Sequence, residues 1–135
     1  MDSQAITEAA RASRTGSSPF PEIVTKLISA GVEYYHVDYV GRCVQHYDGI
    51  GARVTTPLDF EGLPAVAAEF DATELRAAIF DSQRNGQSFR DFSARAMKAG
   101  VQSYYAFLRG RRVTYLARTG DQHTEWFPGA EPQRD

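Results

Sequence analysis

Residues 30–44 read AGVEYYHVDYVGRCV and residues 99–113 read AGVQSYYAFLRGRRV, so a segment of this chain recurs 69 positions later. Extended outward in both directions, the same shift aligns residues 2–48 with residues 71–117 without a gap. The alignment contains eleven identities in 47 pairs, whereas unrelated segments of average composition would share roughly three. The sequence therefore predicts two copies of one structural unit.

Each copy begins with a pattern that is typical of two helices. We predict first helices at residues 3–14 and 72–83 and second helices at 20–30 and 89–99. In the helix at 20–30 the apolar residues Phe20, Ile23, Val24, Leu27 and Ile28 recur at helical spacing.

The ends of these helices carry recognisable signals. Asp71 and Glu74, three residues apart, resemble a capping box at the start of a helix. Gly31 and Gly100 lie where a second helix would end in the left-handed conformation that glycine adopts most easily. The shared Ala-Gly-Val sequence is thus explained as a helix stop.

A β-hairpin follows each helix stop. Residues 40–43 and 109–112 fit two-residue turns of type II′, in which a glycine comes first. Alternation then places one set of side chains of each hairpin on a common core face. In the first copy these are Tyr35, Val37, Tyr39, Val44 and His46, and in the second Tyr104, Ala106, Leu108, Val113 and Tyr115.

A third strand is predicted in each copy, at about residues 52–56 and 121–127. Thr119-Gly120 fits a turn into the later strand, and a two-residue turn there would place Trp126 on the core face. Two α-α-β-β-β units predict an α+β fold with a pseudo-twofold axis, an antiparallel sheet and helices packed on one face.

Neither half could cover its own sheet well, which favours a single fused domain over two independent ones. We predict one domain at residues 1–128, with repeat one at 2–57, a linker at 58–70 and repeat two at 71–128. Residues 129–135 are predicted to be a frayed tail.

The pattern Phe89…Ala99-Gly100-Val101…Tyr104…Gly110-Arg111-Arg112-Val113 continues into residues 120–128, GDQHTEWFP. It resembles a family of small bacterial proteins of unknown function that are sometimes labelled phage envelope protein-like. The resemblance extends from about residue 10 to residue 128 and rests on a combination of common residues. It implies no particular activity and no catalytic residues.

Composition restricts the function classes further. The net charge of −2 gives no general attraction to nucleic acid or anionic lipid. A single cysteine, Cys43, excludes an internal disulfide and is typical of a reducing compartment. No apolar run approaches the roughly 18 residues that a membrane helix needs. We therefore expect a cytoplasmic protein with no membrane partner and no cofactor.

The sheet face opposite the core is the predicted site. It would show polar and aromatic side chains in the first hairpin, and the register that we predict for the last strand adds a histidine and a glutamate. An amphipathic face of this kind suits a small molecule, a protein partner or a second copy of the chain. The predicted ligand-binding residues are Tyr34, His36, Asp38, Tyr47, Tyr105, His123 and Glu125.

Two interpretations of this face stay open. The first is a non-enzymatic binding or interaction module that uses this face or the cleft between the repeats. The alternative is a small enzyme, with or without an assisting metal ion, in which His36, Asp38, His123 and Glu125 converge. Their spacings are generic, and half-exposed strands usually carry alternating polar residues. We therefore assign no catalytic or metal-ligating residue from sequence.

The basic hairpin tip at residues 109–112 could contact a nucleic-acid backbone, but an exposed turn is often charged, and we do not expect a nucleic-acid partner. Cys43 borders a turn, and no histidine is obviously placed to activate it as a nucleophile.

Overall fold

The computed structural model describes residues 1–16 and 19–132, and this part of the chain forms four helices and one six-stranded antiparallel sheet. The helices are α1 (Ser3–Thr15), α2 (Phe20–Ser29), α3 (Ala72–Arg84) and α4 (Phe89–Lys98). The strands are β1 (Tyr34–Asp38), β2 (Cys43–Tyr47), β3 (Arg53–Pro57), β4 (Val101–Phe107), β5 (Arg112–Ala117) and β6 (Gln122–Trp126). The predicted α+β fold of two α-α-β-β-β units is confirmed. The predicted frayed tail includes residues 133–135, which lie outside the described residues.

The helix boundaries follow from local chemistry. The Asp71 side chain accepts a hydrogen bond from the Glu74 backbone N–H at 3.0 Å, which confirms the N-cap half of the predicted capping box. The reciprocal half is not formed, because the Asp71 N–H donates to the Ala99 carbonyl oxygen at 2.8 Å. Helices α2 and α4 both end before a glycine in the left-handed region, with φ of +93° at Gly31 and +92° at Gly100. After α2, the Val32 N–H donates to the Leu27 carbonyl at 3.0 Å, which closes the helix end in a Schellman motif.

The sheet has the strand order β3-β2-β1-β4-β5-β6, with the two repeats side by side. The strand pairings of repeat one recur in repeat two with both partners moved by 69 positions. Val37 pairs with Val44 in repeat one, and Ala106 pairs with Val113 in repeat two. The duplication seen in sequence is therefore a duplication of backbone register.

The two repeats meet at β1 and β4, where His36 pairs with Tyr105. These residues are exactly 69 positions apart, so each is the other's equivalent under the repeat. A residue that pairs with its own equivalent lies on the symmetry axis. The pseudo-twofold axis of the fold therefore passes through the His36–Tyr105 pair.

The hairpin loops differ from the predicted type II′ turns. Asp38 pairs with Cys43, so the loop contains four residues, and its left-handed residue is Arg42 with φ of +57°. Gly41 leaves room there for the Asp38 carboxylate, which a Cβ at that position would displace. The loop lengthens by two residues without changing which side chains share a face, so the predicted core-face residues of both hairpins are confirmed.

One hydrophobic core lies between the helices and one face of the sheet. Ile6 of α1 and Leu75 of α3 are equivalent under the repeat, and both are fully buried. Burying an aliphatic side chain of this size contributes about 1.5–3 kcal/mol. The predicted core positions of Tyr35 and Tyr104 are also confirmed. All four helices therefore bury their apolar faces on the same side of the sheet, which we call the inner face.

Within the described residues, no helix is both long enough and apolar enough to cross a membrane.

Candidate functional site

Five of the seven residues predicted for the site do lie together on the outer face of the sheet. Four of these five residues carry rings, and together with Phe107 they form a continuous row across strands β2, β1 and β4, here called the aromatic ladder. It contains Tyr47, Tyr34, Phe107, Tyr105 and His36. The ring centroids of Tyr34 and Tyr47 are 4.8 Å apart, and those of His36 and Tyr105 are 4.2 Å apart in a stacked arrangement. One end of the ladder, the His36–Tyr105 pair, therefore lies on the pseudo-twofold axis.

His36 and Asp38 do not form an obvious acid–base pair on this face. Partial burial lowers the pKa of His36, while the Asp38 carboxylate opposes that change. The Asp38 carboxylate itself accepts hydrogen bonds from the backbone N–H groups of Val40 and Gly41, at 3.0 and 2.9 Å. Its observed hydrogen bonds thus stabilise the hairpin loop.

The other two predicted residues, His123 and Glu125, lie on the inner face. His123 pairs with Tyr115 and Glu125 pairs with Val113, and both of these partners belong to the core. The prediction that His123 and Glu125 share a face with His36 and Asp38 is therefore wrong. Trp126, which we predicted on the core face, lies instead on the outer face, where the Arg112 guanidinium is 4.5 Å from its ring centroid.

The side chains of β6 were predicted on the wrong faces because the loop before this strand is longer than expected. The Ala117 N–H donates to the Asp121 carbonyl at 2.9 Å, which leaves a three-residue loop at 118–120 with Gly120 in the left-handed conformation. A loop one residue longer than the predicted turn shifts the register by one position. Because side chains alternate along a strand, that shift moves all of β6 to the opposite face.

The sheet lies between His36 and Asp38 on the outer face and His123 and Glu125 on the inner face. These four side chains therefore cannot converge in one enzyme centre. Among the described residues, no group of three or more His, Cys, Asp or Glu side chains is arranged to hold a metal ion. His123 Nε2 lies 3.8 Å from Glu125 Oε2, too far for a hydrogen bond, and His123 Nε2 is buried without a partner.

A cavity of about 670 Å³, here called the interlayer cavity, lies between the helices and the inner face. Protein interiors are normally close-packed, and sites for small molecules have volumes of roughly 300–1,000 Å³. The cavity is lined by all four helices and by both repeats of the sheet. Its apolar lining includes Ile23, Leu27, Val37, Val44, Phe92 and Val113.

A few polar side chains also line the interlayer cavity. Repeat one contributes His46 and Thr56, and the equivalent positions of repeat two hold Tyr115 and Glu125. The predicted core-face position of His46 is confirmed, since only 3% of this residue is exposed. Equivalent positions of the symmetric backbone therefore carry different polar side chains, so the two ends of the cavity differ chemically.

The cavity was not predicted, because the alternation of side chains along a strand is the same whether the inner face is packed or lines a cavity. One signal in the sequence would have placed His123 and Glu125 correctly. Continuing the 69-residue shift beyond residue 117 aligns Val54 with His123 and Thr56 with Glu125. Since His46 and Thr56 are on the inner face, the same register puts Glu125 there too.

These observations define an α+β protein with an internal duplication and a cavity of ligand size between its layers. The chain is 36% identical over 72 residues to the uncharacterised protein Mb2035 of Mycobacterium bovis and to the uncharacterised proteins MT2067 and Rv2012 of two Mycobacterium tuberculosis strains. The aligned part covers 53% of this chain and 43% of each relative, so the chain matches less than half of their length. No family model matches the chain, and the resemblance to the phage envelope protein-like family stays a prediction.

Proposed function

We propose that this protein is a binding module that holds one small, largely apolar molecule in the interlayer cavity. The observation that carries the proposal is the cavity itself. Its volume of about 670 Å³ is several times that of the roughly 150 Å³ apolar cavity that suffices to bind benzene. The apolar and aromatic lining, with a few polar groups, is typical of small-molecule sites.

Access to the cavity is consistent with this role. Phe20, at the start of α2, lines the cavity while 44% of its surface remains exposed. Its ring meets that of Phe127 edge to face, with the centroids 5.9 Å apart. The exposed residues Gly86 and Arg84 also line the cavity. An amphipathic molecule could enter beside these residues and bury its apolar part below them.

The test uses the neutral fluorescent probe N-phenyl-1-naphthylamine and a variant with a filled cavity. Val44 and Val113 are equivalent, buried and cavity-lining, so Val44→Phe combined with Val113→Phe adds two rings to the interior. We expect the native protein to bind one probe molecule per chain. The double variant should bind it at least about tenfold more weakly, which corresponds to about 1.4 kcal/mol.

Two controls make the result specific. The double variant should keep a cooperative thermal transition, because the new rings fill empty space instead of displacing packed atoms. A Tyr34→Ser variant, altered on the outer face, should bind the probe as the native protein does. Absence of probe binding by the native protein, or unchanged binding by a folded double variant, would contradict the proposal.

A second candidate function is self-association through the aromatic ladder. Its rings lie on a face that the helices do not use for packing, and an isologous dimer needs one patch that faces its own copy. Light scattering should then detect a dimer whose fraction rises with protein concentration. Tyr105→Arg should reduce that fraction, and Val40→Arg, on an exposed loop, should not. A native protein that remains monomeric at high concentration would exclude this candidate.

A further inference from the structure

The polar end of the interlayer cavity in repeat one restricts what the cavity can bind. We call this end the polar pocket and define it by Tyr35, His46 and Thr56. His46 is paired with Tyr35 across the sheet, with ring centroids 5.7 Å apart. His46 and Thr56 are diagonal neighbours on β2 and β3, because His46 pairs with Val54 and Val44 pairs with Thr56. All three residues line the cavity.

The hydrogen bond made by His46 determines which of its nitrogens is free. His46 Nδ1 lies 3.2 Å from the Val54 carbonyl oxygen, and a carbonyl oxygen only accepts, so Nδ1 carries the proton. Burial lowers the pKa of His46, an effect that the Val54 carbonyl partly opposes. The ring is therefore neutral near pH 7, and Nε2 is left as a hydrogen-bond acceptor.

Thr56 supplies the complementary group. Only 2% of this residue is exposed, and its Oγ1 is buried without a hydrogen-bond partner. A buried hydroxyl without a partner costs about 1–3 kcal/mol relative to one that is satisfied. The Thr56 hydroxyl can both donate and accept, so a change of the Thr56 χ1 rotamer that turns it toward the cavity would let a ligand recover this free energy.

We propose that the interlayer cavity selects a neutral, mainly apolar molecule that carries a hydroxyl group, and that this hydroxyl lies between His46 and Thr56. The ligand O–H would donate to His46 Nε2, and its oxygen would accept from Thr56 Oγ1. This inference rests on the proposed binding function and names the class of ligand.

The charges around the cavity disfavour a carboxylate ligand. A carboxylate has no proton to donate to His46 Nε2, and burying it without a cation is costly. Of the arginines that line the cavity in the described part of the chain, Arg14 is bound to Asp59 and to the Pro57 carbonyl oxygen. The other, Arg84, lies over the Phe80 ring. Glu125, at the opposite polar end, adds repulsion to any anion.

The test compares three probes that share one ring system: naphthalene, 2-naphthol and 2-naphthoate. Their affinities are measured at pH 7 by displacement of N-phenyl-1-naphthylamine and by calorimetry. We expect 2-naphthol to bind about tenfold more tightly than naphthalene, the gain typical of a well-placed hydrogen bond. We expect 2-naphthoate to bind more weakly than naphthalene.

Two variants assign the preference to the polar pocket. Thr56→Val preserves the shape of the side chain and removes the unpaired hydroxyl, so the variant should be at least as stable as the native protein. His46→Phe keeps a planar ring and removes the acceptor. In each variant the affinity for 2-naphthol should fall toward that for naphthalene, while the affinity for naphthalene stays within about twofold.

The outcomes separate the two proposals. If none of the probes binds the native protein, both the binding function and the ligand class are overturned. If naphthalene and 2-naphthol bind equally, the cavity remains a binding site and the hydroxyl preference is overturned. A tighter complex with 2-naphthoate, or a hydroxyl preference that survives in Thr56→Val, would also overturn the ligand class.

Discussion

Replacing Gly100 by alanine is expected to lower the free energy of unfolding by about 3 kcal/mol or more. Gly100 ends α4 with φ of +92°, a conformation that costs an L-residue about 1–2 kcal/mol. An added Cβ would also clash with the Glu69 carbonyl oxygen and lie 3.1 Å from the Phe70 Cα. Overpacking against atoms that cannot move aside costs about 1–3 kcal/mol more.

The duplication supplies a matched control for this prediction. Gly31 is the equivalent residue with nearly the same φ of +93°, but the nearest atom to its added Cβ would be the Met1 Cα at 3.3 Å, which is not a clash like the one with the Glu69 carbonyl oxygen at Gly100. Gly31→Ala should therefore cost about 1–2 kcal/mol, mainly the conformational part. Urea unfolding at pH 7 measures both. If the free energy of unfolding falls equally in the two variants, the linker backbone moves away from the new Cβ at Gly100, and the predicted difference is wrong.

Stability is expected to fall steeply in alkaline solution because four tyrosines share the core. Burial raises the pKa of Tyr35, Tyr39, Tyr104 and Tyr115, and for Tyr39 the hydrogen bond to Ser93 partly opposes this effect. Below pH 10 these hydroxyls are protonated in both states. Above pH 10 the unfolded chain releases protons that the folded protein retains, so stability decreases as pH rises.

The free energy of unfolding is expected to fall steeply with pH above pH 10. Each such tyrosine contributes about 1.4 kcal/mol per pH unit above pH 10, and four contribute about 5 kcal/mol per pH unit. A domain that is stable by about 5–15 kcal/mol would then unfold within a few pH units. Urea unfolding between pH 8 and about pH 12 measures the slope, and absorbance at 295 nm should show these tyrosines ionising together with unfolding.

Tyr35→Phe tests the assignment of this slope. The variant removes one of the four buried hydroxyls and should reduce the slope above pH 10 by about a quarter. An unchanged slope in Tyr35→Phe, or stability that is constant from pH 9 to about pH 11.5, would contradict the buried-tyrosine explanation.

Local signals in the sequence were sufficient for much of the fold. The Asp71 cap and the stops at Gly31 and Gly100 involve residues close in sequence, so their chemistry is visible without a structure. The hairpin faces were also predictable despite the wrong turn type. A loop longer by two residues preserves the alternation of side chains, whereas the loop at 118–120 differed by one and reversed it.

The candidate site was less predictable, because a cavity is a property of packing between layers. His46, Thr56 and Glu125 come from strands that touch different neighbours, and nothing in their spacing distinguishes a filled core from an empty one. The aromatic ladder shows the same dependence on tertiary structure. His36 stacks on Tyr105 only because β1 of one repeat pairs with β4 of the other.

The sequence by itself determined the duplicated unit, its helix ends and the inner face of each hairpin, since these depend on local conformation and alternation. Tertiary structure alone decided that the two repeats join at the His36–Tyr105 pair and that the helical layer leaves a cavity above the sheet. Both features depend on how distant segments meet in space. The 69-residue repeat thus specifies the backbone. The positions where its copies differ, such as Thr56 and Glu125, place different polar groups at the two ends of the cavity.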